Sequence, residues 1–84
     1  MRIEKLPYER IRNLRVDAGL SQKQVGAFLH VSQNTYSQYE IGTIRLPVEI
    51  LVKLAKFYHT STDYLLELTD VRTPYPPKVE DPAP

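Results

Sequence analysis

Between Gln33 and Ile41 the chain places Gln33, Asn34, Ser37 and Gln38 at spacings that share one side of a helix. A carboxamide carries both a donor and an acceptor. That pair matches N6 and N7 of adenine in the major groove of a DNA duplex. These four side chains are therefore a candidate base-reading set, provided the chain holds them on an outward face.

Other chemistries are poorly supplied. The chain has no cysteine, which excludes disulfides, thiolate metal sites and a thiol nucleophile. His30 and His59 are the two histidines, and neither stands at a metal-ligand spacing. Asp17, Asp63 and Asp70 fall where helix ends or first turns explain them. The three glycines are assigned to two helix stops, Gly19 and Gly42, and one close approach, Gly26. None remains for a phosphate-cradling loop. The expectation is no catalysis, no metal and no cofactor. The longest aliphatic run, Ile50-Leu51-Val52, is far short of a membrane span, and the N-terminus lacks an apolar signal core, so a cytoplasmic location is expected.

The 84 residues carry 11 basic and 10 acidic side chains, a net charge of +1. Nucleic-acid binders are usually more basic. The total, however, is a cancellation. Residues 1–59 hold nine basic and five acidic side chains, and residues 60–84 hold two and five. Arg2, Lys5, Arg10 and Arg12 bias the N-terminal segment. The default reading is a solvated face, with a supplementary phosphate contact from one or two of them as the alternative.

The elements that must position the amide set read as five short helices. The first is expected from Leu6-Pro7, with Pro7 in its first turn and Ile11, Leu14 and Ala18 inward, ending at Gly19. Ser21 and Gln24 form a capping-box pattern for the second, whose apolar positions are Val25, Phe28 and Leu29. Ser32 caps the third, which runs to Ile41 and stops at Gly42, with Tyr36 and Tyr39 inward. Pro47 is expected at N1 of the fourth, with Ile50, Leu51, Leu54, Ala55, Phe57 and Tyr58 giving a wide apolar face. Ser61 caps a fifth containing Tyr64, Leu65 and Leu68. Helices two and three, separated by three or four residues, have the spacing of a helix-turn-helix. Gly26 is read as the point where a side chain would clash.

The stretch from Ser21 to Gly42 resembles the helix-turn-helix of the lambda-repressor-like family (the Cro and Xre class). Arg12 to Ser21, Leu46-Pro47 to Ala55 and Ser61 to Leu66 extend the resemblance over about residues 8 to 68. It implies an all-α, compact five-helix domain, DNA binding by the third helix and a role as a transcriptional regulator, usually a repressor. Carried over by position, Gln33, Asn34 and Gln38 face the major groove, with Ser37 nearby on the exposed side. Gln22 contacts a phosphate or a base edge, and Thr43 and Arg45 contact the backbone. Lys23, Ser32 and Thr35, at the N-termini of helices two and three, join the expected phosphate contacts. The family also implies an ion pair between Arg15 and Glu40, which makes Glu40 structural. Two residues depart from the family pattern. His30 stands where Gly is usual, and Tyr36 where Ile or Val is common. The larger ring leaves two outcomes open, a slight tilt of helix three or a hydroxyl emerging toward DNA.

The expected partner is double-stranded DNA, as a palindromic operator bound by a homodimer, with the exposed side of helix five, including Leu66, as the candidate contact. The alternative is an antitoxin-type or other protein-interaction module. Five of seven prolines lie in Thr73 to Pro84. Residues 1–70 are therefore read as the DNA-binding domain and 71–84 as a flexible, proline-rich tail. Truncation after Asp70 is expected to leave stability unchanged. A docking peptide around Pro74-Tyr75-Pro76-Pro77 is the alternative reading of the tail.

Overall fold

Short helices survive only when both ends are satisfied, because each end leaves four backbone groups without an intrahelical partner. The computed structural model describes residues 8–76. Its elements are α1 (Glu9–Asp17), α2 (Gln22–Leu29), α3 (Gln33–Ile41), α4 (Val48–Phe57) and α5 (Thr62–Leu65). No strand occurs among the described residues. Ser21, Ser32 and Ser61 each accept from a backbone N–H three residues on, and at Ser21 the Gln24 side chain completes the capping box.

The C-terminal ends share one device. At Gly19, His30, His59 and Glu67 the backbone turns left-handed, with φ between 55° and 71°. In each case the next residue's N–H reaches five residues back, as in Val31 N to Gly26 O and Leu20 N to Arg15 O. This is the Schellman closure. His30 (φ 61°) therefore takes the turn position that the sequence assigned to it, and Gly42 (φ 90°) stops α3.

The core is built from Ile11 and Leu14 of α1, Val25 and Leu29 of α2, Tyr36 and Tyr39 of α3, Ile50, Leu54, Ala55 and Tyr58 of α4 and its cap, and Leu65 of α5. The α2–α3 corner makes the most extensive helix–helix contact. A Cβ at Gly26 would stand 3.1 Å from Val31 O and 3.4 Å from Ser32 O. The close approach there is to the backbone of the turn itself.

Several local expectations are corrected. Helix one starts at Glu9, after Tyr8 in a left-handed N-cap (φ 59°); Leu6-Pro7, Arg2 and Lys5 lie outside the described residues. Ala18 is exposed, because α1 has already ended there. Phe28 is 45% exposed and stacks at the core's edge on Phe57, ring centroids 4.4 Å apart. Pro47 is the N-cap of α4, not N1: its ψ of 148° is extended and its carbonyl accepts from Leu51 N. Leu68 is 71% exposed, because the left-handed Glu67 turns the chain away after Leu65.

Arg10 belongs to the scaffold and not to a solvated or phosphate-facing surface. Its guanidinium donates to the carbonyls of Tyr64 (2.9 Å) and Thr69 (2.5 Å), pairs with Asp70 (2.6 Å) and lies over the Tyr64 ring. The segment after Asp70 also departs from the free-tail reading. Thr60 Oγ1 donates to Arg72 O (2.7 Å), and Tyr75 donates its hydroxyl to Asp63. Pro74 and Tyr75 wall a cavity of about 360 Å³ together with Val52, Ala55, Lys56 and His59. Residues 77–84 lie outside the described residues. Truncation after Asp70 is therefore expected to lower stability by about 1 kcal/mol, the scale of one net hydrogen bond plus some apolar burial. The matching Tm decrease is about 4–8 °C. A thermal melt of the truncated chain that overlays the full-length one restores the free-tail reading.

Candidate nucleic-acid interface

The position of the amide set follows from what the other side of α3 does. Tyr36, Tyr39 and Glu40 are buried. Gln33 and Asn34 are exposed, and Thr35, Ser37 and Gln38 are partly exposed. At 100° per residue, Asn34, Ser37 and Gln38 fall on the face turned away from Tyr36 and Tyr39. The structure thus brings the four predicted readers onto one accessible side. The Ser32 cap at its start and the Gly42 stop at its end close that helix without using any of them.

Beneath the helix lies a buried carboxylate. Glu40 is 3% exposed. Its Oε2 accepts from Arg15 Nε and from the Tyr36 hydroxyl, each at 2.6 Å. Its Oε1 accepts from Arg15 Nη2 and Gln22 Nε2, each at 3.2 Å. Arg15 also donates to Leu20 O, at 2.9 Å. Burial alone would push the Glu40 carboxyl up. Hydrogen bonds from Arg15, Tyr36 and Gln22 overcome it and hold the group below the usual glutamate range. The bond to Glu40 raises the Arg15 guanidinium. Burial, then the Glu40 bond, raises the Tyr36 phenol.

The Arg15–Glu40 pair expected from the resemblance is present, and Glu40 is structural. The Tyr36 hydroxyl goes inward to Glu40 instead of emerging from the helix. Gln22 is also engaged inward, although it stands at the start of α2 where a phosphate contact was expected. The sequence carried no signal for the Gln22 bond, which depends on where α3 crosses α2; Tyr36 and Glu40 stand four apart on α3, a spacing that brings side chains together on one helix face. Tyr58 is a further buried phenol, raised to about 12 chiefly by burial, and its hydroxyl has no hydrogen-bond partner among the described residues.

The other predicted contacts sit around the amide face. Ser32 Oγ accepts from Thr35 N and donates to Thr35 Oγ1, each at 3.0 Å. The two hydroxyls share one hydrogen bond, which leaves one hydroxyl proton of the pair free to donate outward. Lys23, Thr43 and Arg45 are exposed, the last two in the loop between α3 and α4. Among the described residues, no His, Cys, Asp and Glu group could hold a metal ion, and no helix is long and apolar enough to cross a membrane.

This geometry has known counterparts. The family model described as helix-turn-helix matches residues 11–65. The chain is 32% identical over 74 residues to the SPbeta prophage-derived uncharacterized HTH-type transcriptional regulator YonR of Bacillus subtilis (strain 168). That match covers 88% of this chain and 68% of the relative. It is 47% identical over 49 residues to the cryptic phage CTXphi transcriptional repressor RstR of Vibrio cholerae, covering 58% of this chain and 44% of that one. It is 35% identical over 63 residues to the HTH-type transcriptional regulator ImmR of Bacillus subtilis (strain 168), covering 75% and 50%. The chain therefore spans about half the length of RstR and ImmR and about two thirds of YonR. Among solved structures, the P22 c2 repressor protein in complex with synthetic operator 9T in the presence of Tl+ superimposes with a TM-score of 0.67. It is 34% identical, with 76% of this chain and 97% of that chain covered.

The buried carboxylate predicts an acid-labile fold. A folded-state pKa held below the unfolded value of about 4.5 contributes stability that is complete above that value and is lost as pH falls through the folded one. The wild-type Tm is expected to drop on acidification below about pH 4.5. Glu40→Gln, which removes the titrating group, should start from a lower Tm near neutrality and lose less on acidification. Thermal melts of both proteins from pH 7 to pH 3 measure this, and parallel curves would exclude Glu40 as the source.

Proposed function

Because the chain belongs to the helix-turn-helix family, whose model it matches over residues 11–65, we propose that it binds double-stranded DNA sequence-specifically as a small transcriptional repressor, with α3 in the major groove. The observation that carries this reading is the accessible amide face of Gln33, Asn34, Ser37 and Gln38, backed by the buried Tyr36–Glu40–Arg15 cluster. The names of the relatives and the operator complex of the P22 neighbour support it.

Each residue has a role in this reading. Gln33, Asn34 and Gln38 pair with base edges through their carboxamides, adenine being the best match, and Ser37 supplies a hydroxyl to either groove partner. The N-termini of α2 and α3 aim N–H groups at phosphates, joined by Gln22, Lys23, Ser32, Thr35, Thr43 and Arg45. The unit that does this is residues 1–70, with 71–84 appended to it, and it acts in the cytoplasm.

The charge supply is thin. Arg10 and Arg15 are both engaged in internal ion pairs, so they add little to the attraction for phosphate. Binding to arbitrary DNA is accordingly weak, and specific contacts carry a large share of the affinity. One module buries only about 600–1,000 Å² on DNA. Two copies on half-sites about one helical turn apart raise affinity and read a palindrome. Leu66, 39% exposed just after α5, is the contact proposed for that pairing.

Selection of bound duplexes from a random pool is the direct test. Enrichment of one symmetric site supports both specific binding and pairing, and a pool that stays random refutes the reading. On the enriched duplex, Gln33→Ala should weaken binding by about 1–3 kcal/mol and relax preference at one base position. An unchanged preference removes Gln33 from the reading set. Arg45→Ala should weaken binding to all sequences alike and flatten the salt dependence by about one unit of slope. A wild-type slope would show that Arg45 does not touch a phosphate.

A further inference from the structure

We propose that the buried Tyr36 hydroxyl is a positioning group for DNA binding: acting through Glu40, it holds the Gln22 amide in the one orientation that offers a donor to a phosphate. The inference rests on the DNA-binding reading above and deepens it.

The Tyr36 ring fills the core, being 0% exposed. An apolar side chain of similar volume would fill the same space. The hydroxyl adds a polar group to a dry site, where it is tolerated only if bonded. It is bonded to Glu40 Oε2 at 2.6 Å, beside the 2.6 Å bond from Arg15 Nε. Two short bonds from different directions fix the plane of the carboxylate. Its second oxygen, Oε1, is thereby presented to Gln22 Nε2. Removing the hydroxyl leaves the carboxylate held by the Arg15 fork alone, with one short bond to Oε2 (2.6 Å) and one long bond to Oε1 (3.2 Å), so the aim of Oε1 at Gln22 is less firmly set.

Gln22 is the first residue of α2 and is half-buried. The bond to Glu40 is the one hydrogen bond that its side chain makes among the described residues. A carboxamide can normally turn over, exchanging its NH₂ and its oxygen. Here the turned form would set the amide oxygen against the Glu40 carboxylate, acceptor against acceptor. Glu40 therefore selects the form with NH₂ inward. One N–H is engaged, and the second, on the same nitrogen, is left to donate beside the exposed Lys23 at the start of the helix. A phosphate needs a donor there and is repelled by an amide oxygen. Three helices meet in this relay: Arg15 from α1, Gln22 from α2, Tyr36 and Glu40 from α3.

The test is a double-variant cycle on the duplex enriched by the wild-type protein, measured well below each Tm. Tyr36→Phe should weaken binding about 3- to 10-fold, the scale of one net hydrogen bond. Gln22→Ala should weaken it by at least as much. The double variant should bind no more weakly than Gln22→Ala alone, because the hydroxyl acts through the amide. Losses that multiply would overturn the proposal and assign Tyr36 to general stability. A second readout needs neither DNA nor a variant. In the wild-type protein one of the two Gln22 side-chain amide protons should be shifted in the NMR spectrum away from the position of a solvent-exposed glutamine by its bond to the Glu40 carboxylate. Two Gln22 amide signals at the solvent-exposed positions overturn the proposal. A wild-type protein that enriches no duplex refutes the DNA-binding reading itself, and the amide signals still report on the relay.

Discussion

A carboxylate taken out of water is strongly destabilising unless its oxygens are met by donors. Glu40 meets that condition by drawing donors from three helices at once: Arg15, Gln22 and Tyr36. The rest of the domain follows from it. Helix α3 cannot roll about its axis without breaking the set, so the residues opposite Glu40 are fixed as the outward face. The apolar core alone would tolerate small rotations, because dispersion contacts have no direction. The hydrogen bonds around one buried charge supply the direction that the core lacks.

Much of this was legible in the sequence, and the parts that were not share a cause. Ser21, Ser32 and Ser61 announced their helices because a cap is a local interaction within three residues. Gly19 and Gly42 announced stops for the same reason. His59 and Glu67 take the same left-handed turn without the glycine that marks it, so the exit after Leu65 and the exposure of Leu68 were not foreseen. Phe28 looked like a core residue by spacing, but α4 reaches only its edge. The amide face on α3 was readable from helical period alone. The inward bond of Gln22 was not, since it depends on how α2 and α3 cross, whereas the Tyr36–Glu40 bond joins residues four apart on α3 and lay within reach of the same helical period. Arg10 was read as a surface cation, and its partners lie 54 to 60 residues away, beyond any local pattern.

The same helix ends explain how so short a chain makes a firm corner. Between Leu29 and Gln33 the backbone reverses through His30, with Val31 closing the Schellman bond and Ser32 already capping the next helix. The His30 and Val31 N–H groups and the Ser32 carbonyl all have backbone partners, which limits the slack in the turn. A left-handed histidine is more strained than a glycine, yet it restricts the unfolded chain more. The two effects oppose each other, and the surrounding bonds hold the turn in its native form.

The Arg10 contacts carry a consequence for biosynthesis. Its partners, the Tyr64 and Thr69 carbonyls and the Asp70 carboxylate, are made nearly sixty residues later than Arg10 itself. On the ribosome, the first helix leaves the exit tunnel with its guanidinium unpartnered and waits until residue 70 has also emerged. The helical corner from Ser21 to Gly42 can form during that interval, since its contacts are close in the chain. Closure of the whole domain therefore waits on the last few residues of the helical unit.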